Sequence, residues 1–384
     1  KYRAMNILAL EPFYGGSHRA FIDGWMAHSR HAFSLLTLPD SHWKWRMRHA
    51  AVAFAESIQR RAAQGETWDL IWASDMLNLA ELRGLLPGAA GRLPAILYFH
   101  ENQLTYPVRE QRQRDLHFAF TNFISCSAAD AIWFNSRFHL TELLPAFDRL
   151  LAAMPDRQPR HLLSSMEARA SVQSPGVDIA RRAEQDRGEP LRIVWAARWE
   201  HDKNAADFFA ALDLLERRGR DFRLAVVGEQ FRETPPEFAA ARRRFAGRID
   251  YWGFQATRAD YLRVLHWADC FVSTARHEFF GITAVEAIAA GCLPLLPWRL
   301  AYPELLDAAC QADAPFPADS PFFYQGSVAD LADKLDSAIR LLDNAGTWIQ
   351  RIRTAQSAVQ RFHWRQRATA MDEAAEQVVD SGVR

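Results

Sequence analysis

Short runs of consecutive apolar residues alternate along this chain with longer segments whose apolar residues recur every three or four positions. Such runs are typical of strands in a parallel sheet that helices cover on both faces. Five lie in each half of the chain: Asn6–Leu10, Phe33–Leu38, Asp69–Ala73, Ala95–Phe99 and Ala131–Phe134, then Arg192–Ala196, Arg223–Val227, Asp250–Trp252, Cys270–Ser273 and Leu293–Leu296. Two consecutive series predict an α/β protein with two Rossmann-like, doubly wound domains.

The length of 384 residues also suits two domains of roughly 150–200 residues each. The polar, proline-containing segment Met154–Pro190 separates the two series of strands, so we expect domains over residues 1–185 and 186–350. Residues 351–384 are helix-like and are expected to cross back to the N-terminal domain. Because ligands bind at the carboxyl ends of parallel strands, the two domains are expected to face a central cleft.

Composition narrows the classes of partner. Basic and acidic residues both number 46, which gives no global support for nucleic-acid binding, although a local basic patch is still compatible with it. No apolar run approaches the roughly 20 residues of a membrane span, so we expect no membrane partner, and no obligate protein partner is predicted. The four cysteines are widely spaced without a CxxC pair, which favours a reducing, cytoplasmic setting.

The segment His277–Ala287 carries the strongest local signal, because Glu278 and Glu286 are separated by seven residues and a glycine lies between them. A loop that leads into a helix N-terminus directs backbone N–H groups at an anion. We interpret it as a donor site in which Glu278 holds sugar hydroxyls and Glu286 accepts from a ribose hydroxyl. The amides expected to meet phosphate are those of Phe280, Gly281, Ile282 and Thr283. The alternative is a pair of solvated or capping glutamates.

Two cations follow the first strand of the second series, Arg198 and Lys203. A leaving diphosphate concentrates negative charge, and fixed cations stabilise it more in the transition state than before the bond breaks. The alternative is that they form surface ion pairs with Glu200 or Asp202. Near the N-terminus, Gly15 and Gly16 are expected to form a turn between a strand and a helix, where a phosphate or sugar can approach the backbone closely. The alternative is that the glycines serve only to form a tight turn and bind no ligand.

His100 ends a strand of the first series and is expected at the ligand-binding edge of its sheet. It could hydrogen-bond the transferred sugar or help an acceptor lose its proton, and the alternative is a structurally satisfied histidine. Polar or aromatic side chains near strand ends in this half are further candidates for contacting an acceptor: His18, Asn102, Gln103, Tyr106 and Asn135.

The segment Ser41–His49 alternates aromatic and basic residues. Trp43, Trp45 and Arg46 are therefore candidates for stacking on bases and neutralising phosphates. The same spacing fits a helix that buries Trp43 and leaves its arginines on a solvated face, and the spacing alone does not decide between the two.

The second half resembles the retaining GT-B glycosyltransferases of family 4, which share the E-x7-E motif and the Arg/Lys pair. By this resemblance, Trp252 and Gly253 belong to a loop against the nucleotide base. A D-x-D pair, which commonly holds a metal in other transferases, is absent from the sequence. The resemblance thus implies a GT-B fold and a nucleotide-sugar donor, with no metal cofactor. No nucleophile stands out, so we expect front-side attack with a donor phosphate oxygen as base.

Six segments together look like the tRNA-queuosine α-mannosyltransferase family: Glu11–His18, His42–Arg46, His100–Val108, Asn135–Phe138, Arg198–Lys203 and His277–Gly281. The resemblance implies an acceptor-side N-terminal domain and a C-terminal domain that binds the nucleotide sugar. It implies mannose transfer from GDP-mannose to the cyclopentenediol of queuosine in the anticodon of tRNA(Asp). The residues expected in catalysis are then His100, Arg198, Lys203 and Glu278.

Other functions remain open at the level of sequence. A transferase of the same fold could use another nucleotide sugar and a small-molecule, lipid or glycan acceptor. A GT-B epimerase or phosphorylase is a different enzyme class, and a non-catalytic RNA-binding protein could keep the fold. Arg198, Lys203, Glu278 and Glu286 argue against the last, because a binding protein would not need all four.

Overall fold

The computed structural model describes residues 4–106, 115–178, 189–230, 234–307 and 314–382. The described chain folds into two compact units, of which unit 1 contains residues 4–176 and 364–382, and unit 2 contains the residues between 177 and 363. The sequence placed the boundaries at 185/186 and 350/351. The observed divisions fall at 176/177 and 363/364.

Unit 1 is built on a six-stranded sheet in which every pair of neighbouring strands is parallel, in the order β2-β1-β3-β4-β5-β6. Its strands are β1 Asn6–Glu11, β2 Ala32–Thr37, β3 Leu70–Ser74, β4 Ala95–Phe99, β5 Ala131–Phe134 and β6 Ala170–Val172. Its helices are α1 Gly16–His28, α2 Trp43–Ala63, α3 Leu79–Leu85, α4 Leu116–Ala128, α5 Arg137–Ala152, α6 Leu162–Ala168 and α14 Trp364–Gly382.

Unit 2 contains a second parallel six-stranded sheet, in the order β12-β11-β10-β7-β8-β9. Its strands are β7 Leu191–Ala196, β8 Phe222–Val227, β9 Ile249–Gly253, β10 Cys270–Val272, β11 Leu293–Pro297 and β12 Phe323–Tyr324. Its helices are α7 Ala205–Arg217, α8 Pro236–Arg244, α9 Arg258–Trp267, α10 Ile282–Ala289, α11 Tyr302–Leu306, α12 Val328–Leu341 and α13 Ala345–Val359.

All ten strands predicted from apolar runs are confirmed, and the doubly wound α/β class with them. The central strands β3 and β4 are buried along their whole length, as expected for strands that helices cover on both faces. Two edge strands, β6 and β12, were not predicted. Helix α6 and strand β6 lie within Met154–Pro190, the segment expected to be a joint. Among the described residues, no helix has the length and apolar character of a membrane span.

The order of strands reverses once inside each sheet, between β1 and β3 in unit 1 and between β7 and β10 in unit 2. At such a point the chain leaves two neighbouring strands in opposite directions, which opens a crevice beyond their carboxyl ends. The residues that follow these four strands are therefore the first place to look for a site.

The C-terminal helix α14 is held in unit 1 by one buried carboxylate. Asp372, 2% exposed, accepts hydrogen bonds from the indole N–H of Trp25 at 2.8 Å, the hydroxyl of Ser29 at 2.7 Å and the backbone N–H of Arg30 at 2.9 Å. Three donors to a buried carboxylate satisfy groups that would otherwise be desolvated without a partner.

We expect Asp372→Ala to lower the free energy of unfolding of unit 1 by about 3 kcal/mol, because it leaves the buried Trp25 N–H unpaired. Chemical denaturation followed by tryptophan fluorescence measures this change. The matched control is Glu373→Ala, which removes an exposed carboxylate from the same helix and should change stability by less than about 0.5 kcal/mol. Equal stability of the two variants would contradict the role of Asp372.

Candidate functional site

Lys203 is a buried cation beside the crevice of unit 2. It lies in a short 3₁₀ turn after β7, and its side chain is 9% exposed. The ammonium donates to the carbonyl of His277 at 2.8 Å and lies 3.1 Å from Asp202 and 3.3 Å from Glu278. Burial of an ammonium is costly unless it is paired, so these contacts fix a positive charge between the ends of β7 and β10.

Arg198 follows the same strand but is much more accessible. Its side chain is 43% exposed, and its guanidinium lies 3.2 Å from the carboxylate of Glu200. The ion pairs considered as the alternative for Arg198 and Lys203 are thus both present. They do not exclude a binding role, because an exposed ion pair contributes little stability and an anionic ligand can replace Glu200.

Glu278 lies at the wall of a pocket that Lys203 and Thr283 also line, together with Ser273 and Tyr302. The next helix, α10, begins after Gly281, which has a left-handed backbone with φ +94° and offers no side-chain cap. The N–H groups in the first turn of a helix have no acceptor within it. Unit 2 thus places a cation, a carboxylate and a helix N-terminus at one end of its sheet.

Glu286 is engaged on both carboxylate oxygens. Arg258 lies 2.5 Å from one oxygen, and the hydroxyl of Tyr261 donates to the other at 2.9 Å. Both partners come from α9 and hold a carboxylate whose side chain is only 10% exposed. A ribose hydroxyl that bonds to Glu286 would therefore meet a carboxylate with a fixed orientation.

Trp252 has no contact with Lys203, Glu278 or Glu286 among those that the structure gives for it. Its half-buried ring packs against the core of unit 2, 5.3 Å from Trp199 and 6.4 Å from Phe209. The exposed aromatic residue at this strand end is Phe254, 65% exposed. Gly253 has φ +91°, a conformation that strains any other residue. Phe280 is also a core residue, with its ring 5.2 Å from Phe362, so only its backbone is available to a phosphate.

In unit 1, Glu11 organises a buried cluster at the reversal of strand order. The register sets Leu10 beside Ala73, which brings the next residues of β1 and β3 together. One oxygen of Glu11 accepts from the hydroxyl of Ser74 at 2.9 Å and from the backbone N–H of Phe13 at 3.0 Å, and it lies 3.2 Å from Nδ1 of His18.

The protonation states in this cluster differ from those in water. Burial alone would lower the pKa of His18, but the charge and hydrogen bond of Glu11 outweigh it and raise that pKa to about 9. Burial raises the pKa of Asp75 to about 8. For His100, burial and then the charge of His18 hold the pKa well below its usual range. The surroundings therefore favour the charged form of His18, the protonated form of Asp75 and the neutral form of His100.

Besides Oδ2 of Asp75, two atoms of the cluster are buried without a hydrogen-bond partner, Oε2 of Glu11 and Nε2 of His100. They lie 3.9 Å apart, too far for a direct hydrogen bond. A hydroxyl group near both would satisfy them, because it can donate to the carboxylate and pair with the ring nitrogen. The unpaired atoms thus mark a place suited to an alcohol.

Glu11 and His100, together with His18, are also the side chains best placed to hold a metal ion among the described residues. Glu11, His18 and His100 offer ligand atoms that all lie within 4.8 Å of one another. The imidazole rings of His18 and His100, however, lie 4.0 Å apart and nearly face to face, tilted by 32°, and Nδ1 of His18 is already engaged by Glu11. This arrangement favours hydrogen bonding over coordination.

The two glycines of the first turn have different reasons to be glycine. A Cβ on Gly15 would lie 2.0 Å from the carboxylate of Asp40, whereas one on Gly16 would meet nothing within 4 Å. Gly16 instead has φ +50° at the start of α1. The space beside Gly16 is therefore open to a ligand.

Asn102 and Asn135 do not present free side chains to an acceptor. Asn102 accepts from the backbone N–H of Thr105 and donates to Nε2 of His139 at 2.9 Å. Asn135 accepts from Nδ1 of His139 at 2.9 Å and donates to the carbonyl of His100 at 2.8 Å. These amides hold the loop after β4 in place, and through it they position His100.

The other acceptor candidates are divided between packing and exposure. Gln103 donates through its side chain to Glu101 at 3.2 Å, and Tyr106 is half-buried beside the residues 107–114, which lie outside the described chain. Trp43 packs against a small cluster that contains Met47 and Phe118. Trp45 is exposed.

Sequence reasoning did not identify Glu11 and Asp75 as site residues, nor Arg258, Tyr261 and His139. Their partners are distant along the chain, such as Glu11 and Ser74 or Tyr261 and Glu286. The signal that could have found Glu11 and Asp75 is an acidic residue at the end of a central apolar strand, as at Glu11, or directly after one, as at Asp75.

We expect Glu11→Gln to lower the pKa of His18 from about 9 to below its ordinary 6.5, because burial remains after the carboxylate charge is removed. Histidine NMR titration measures this pKa. The wild-type pair stabilises the fold fully below about pH 6.5 and loses that contribution as the pH rises through about 9, and the variant should lose this dependence. Glu101→Gln, which removes a weaker charge, is the control. A pKa still near 9 in the Glu11 variant would contradict the pairing.

Comparison with known proteins agrees with this division of the chain. Residues 6–177 match the family described as "tRNA-queuosine alpha-mannosyltransferase N-terminal", and residues 177–341 match "Glycosyl transferases group 1". Solved structures share the fold, and two of them illustrate the likeness. Sucrose-phosphate synthase from Thermosynechococcus elongatus has a TM-score of 0.71 at 14% identity and covers 99% of this chain and 100% of its own. The Anabaena protein HepE in complex with UDP has a TM-score of 0.65 at 15% identity, with the same coverage. The GT-B fold is thereby confirmed.

Two relatives in sequence are more informative about the family. A Drosophila melanogaster protein named tRNA-queuosine alpha-mannosyltransferase is 38% identical over 312 residues, which cover 78% of this chain and 81% of the relative. The GDP-mannose:cellobiosyl-diphosphopolyprenol alpha-mannosyltransferase of Xanthomonas oryzae pv. oryzae is 26% identical over 183 residues, 47% of each protein. This chain belongs to the tRNA-queuosine alpha-mannosyltransferase family of glycosyltransferases.

Proposed function

We propose that this protein transfers mannose from GDP-mannose, with retention, to the cyclopentenediol of queuosine in the anticodon of tRNA(Asp) in the cytoplasm. The observation that carries the proposal is the 38% identity to the Drosophila enzyme over most of both chains. The Xanthomonas relative, whose name states GDP-mannose, supports the donor. We also propose that the reaction needs no metal ion.

Unit 2 binds the nucleotide-sugar donor in the proposed reaction. The diphosphate lies at the N-terminus of α10, where the free N–H groups and the helix dipole favour an anion. Lys203 and Arg198 supply the positive charge that a metal would otherwise provide. Glu278 accepts hydroxyls of the sugar, and Glu286, fixed by Arg258 and Tyr261, accepts a ribose hydroxyl.

The chemical step exchanges one bond to the anomeric carbon for another. The bond from C1 of mannose to the β-phosphate oxygen breaks, and its electron pair leaves with GDP. A hydroxyl oxygen of the cyclopentenediol bonds to C1 on the same face, and its proton moves to a β-phosphate oxygen. The cations act mainly on this step, since the charge on the leaving diphosphate grows as the bond breaks.

The acceptor half falls to unit 1. His100 is neutral at neutral pH, so it can take part in a hydrogen bond with a hydroxyl as donor or acceptor. Its unpaired Nε2 and the unpaired oxygen of Glu11 suit a hydroxyl of the diol or of the mannose. Asn135 and His139 act as positioning residues, because they fix the backbone that carries His100.

The decisive experiment incubates the protein with radiolabelled GDP-mannose and with tRNA(Asp) that contains or lacks queuosine. We expect label only on the queuosine tRNA, at a rate that EDTA leaves unchanged within twofold. Donor binding without labelled tRNA would reject the acceptor, and no donor binding would reject the donor. A rate that EDTA abolishes and a divalent ion restores would reject metal independence and point to Glu11, His18 and His100.

We expect Arg198→Ala to lower kcat by about 100-fold with a smaller change in the KM for GDP-mannose, because the lost charge acts mostly in the transition state. Steady-state rates measure both constants. The matched control is Arg244→Ala, an equally exposed arginine of unit 2 that pairs with Asp213. Arg198→Lys should recover part of kcat. An Arg198→Ala variant with unchanged kcat would remove Arg198 from the diphosphate site.

A further inference from the structure

The start of helix α2 displays an aromatic stack that the proposed catalytic residues do not include. Trp45 is 59% exposed and is the only exposed tryptophan in the part of the chain that the structure describes. Its ring lies on the imidazole of His49 with centroids 4.7 Å apart and planes 4° from parallel. One face of the indole is thus covered by a second flat ring, and a large apolar side chain stays in water.

The stack is fixed before any ligand arrives. Nδ1 of His49 donates to the carbonyl of Trp45 at 2.8 Å. The guanidinium of Arg46 lies 3.3 Å from Nε2 of the same ring and donates through Nε to the carbonyl of Pro39 at 3.0 Å. A ring held by hydrogen bonds on both nitrogens has lost its rotational freedom already. A ligand that stacks here therefore meets a smaller entropic cost.

Positive charge is concentrated on the same turns of helix α2 as the stack. Residues 41–53 contain three basic residues and no carboxylate. Lys44 and Arg48 lie over the ring of Phe118, at 6.0 Å and 4.9 Å, and no carboxylate of the described residues lies within 4.0 Å of their charged nitrogens. Several other arginines of unit 1 pair with carboxylates, as Arg160 does with Asp148 and Arg83 with Asp130. The neutral charge of the whole chain thus hides a local basic surface.

The stack adjoins the buried cluster at the end of β1. Trp43 and Met47, on the inner side of the same helix turns, pack in one small apolar cluster with Phe13. Phe13 in turn lies 5.8 Å from the ring of His18, which stacks on His100. A continuous series of side chains within unit 1 therefore joins the exposed stack to the residues proposed to hold the acceptor hydroxyl.

An exposed, pre-ordered aromatic ring with cations on the same helix turns, none of them paired with a carboxylate among the described residues, is the arrangement that single-stranded nucleic acid recognises, with bases on the ring and phosphates beside the cations. A protein partner or a lipid surface would require a wider apolar patch, whereas the neighbours of Trp45 are charged. Resting on the proposed function, we propose that the Trp45–His49 stack holds an unpaired base of the tRNA anticodon loop, other than the queuosine that is modified, and that Lys44 and Arg48 bind the flanking phosphates.

The test is a binding cycle with an anticodon stem-loop of tRNA(Asp) that contains queuosine. Trp45→Ala should raise its Kd by about tenfold, within the range for loss of one base–aromatic stack, while Trp45→Phe recovers part of the affinity. The Kd for GDP-mannose should stay within twofold. Val52→Ala, at a position of the same helix that is 50% exposed, is the control and should not change RNA binding.

Stem-loops with one abasic nucleotide identify the stacked base. At one loop position, removal of the base should lower the affinity of the wild type by about tenfold. The same removal should not lower the affinity of Trp45→Ala any further, because the protein variant and the abasic RNA each lack the same contact. If the affinity losses caused by the abasic nucleotide and by Trp45→Ala add at every loop position, the proposal is wrong. Failure of the wild type to bind the intact stem-loop would reject the proposed acceptor itself, which is a different result.

The flanking cations have a separate signature. Arg48→Ala should reduce the slope of log Kd against log salt by about one, the loss expected for one phosphate contact. Arg60→Ala, which removes another exposed cation from α2, should leave the slope unchanged. A wild-type protein that binds vesicles of phosphatidylcholine and phosphatidylserine through Trp45, but shows no Trp45 effect on RNA, would overturn the assignment in favour of a lipid surface.

Discussion

Both halves of this protein depend on one topological constraint, the reversal of strand order in the middle of a parallel sheet. Strands that lie side by side there send their chains away in opposite directions, so no loop covers the gap between them. Polar groups can be grouped in this gap and still be supported by a buried sheet. Glu11 and Asp75 occupy it in unit 1, and Lys203 and Glu278 occupy it in unit 2.

The charges at the two gaps are balanced locally, which explains how ionised groups tolerate burial. Lys203 has Asp202 and Glu278 within 3.3 Å, and Glu11 has the cation of His18 at 3.2 Å. A lone buried charge would cost several kcal/mol. The two charge-balanced groups differ, however, in how accessible they are to a ligand. Lys203 shares its charge with groups at a pocket wall, so a ligand can take part in the network. The Glu11–His18 pair is almost fully enclosed, and in the proposed reaction it acts on the acceptor through His100 and the unpaired oxygen of Glu11.

The sequence predicted the frame of the fold because continuous apolar runs mark buried strands. It did not predict β6 and β12, which are two or three residues long and lie at sheet edges, where little burial is needed. His100, Lys203 and Glu278 follow central strands, and their positions were predictable for that reason. Side-chain direction could not be predicted. Asn102 follows a strand but bonds to Thr105 in its own loop and to His139 of α5. Trp252 lies at the end of a strand but packs against Trp199 of the core.

The division of the chain suggests where substrate choice is made. The match specific to queuosine mannosylation covers residues 6–177, whereas residues 177–341 match a broad group of glycosyl transferases. The Glu11 cluster and the Trp45–His49 stack both lie in the specific part, and the cation, carboxylate and helix N-terminus of unit 2 lie in the broad part. The features of the broad part are common to the whole group of glycosyl transferases, so they serve the substrate that its members have in common, a nucleotide-sugar donor. The features of unit 1 are therefore the candidates for recognising the acceptor, and among these the exposed Trp45–His49 stack, on a helix turn that also carries Lys44 and Arg48, has the composition suited to RNA.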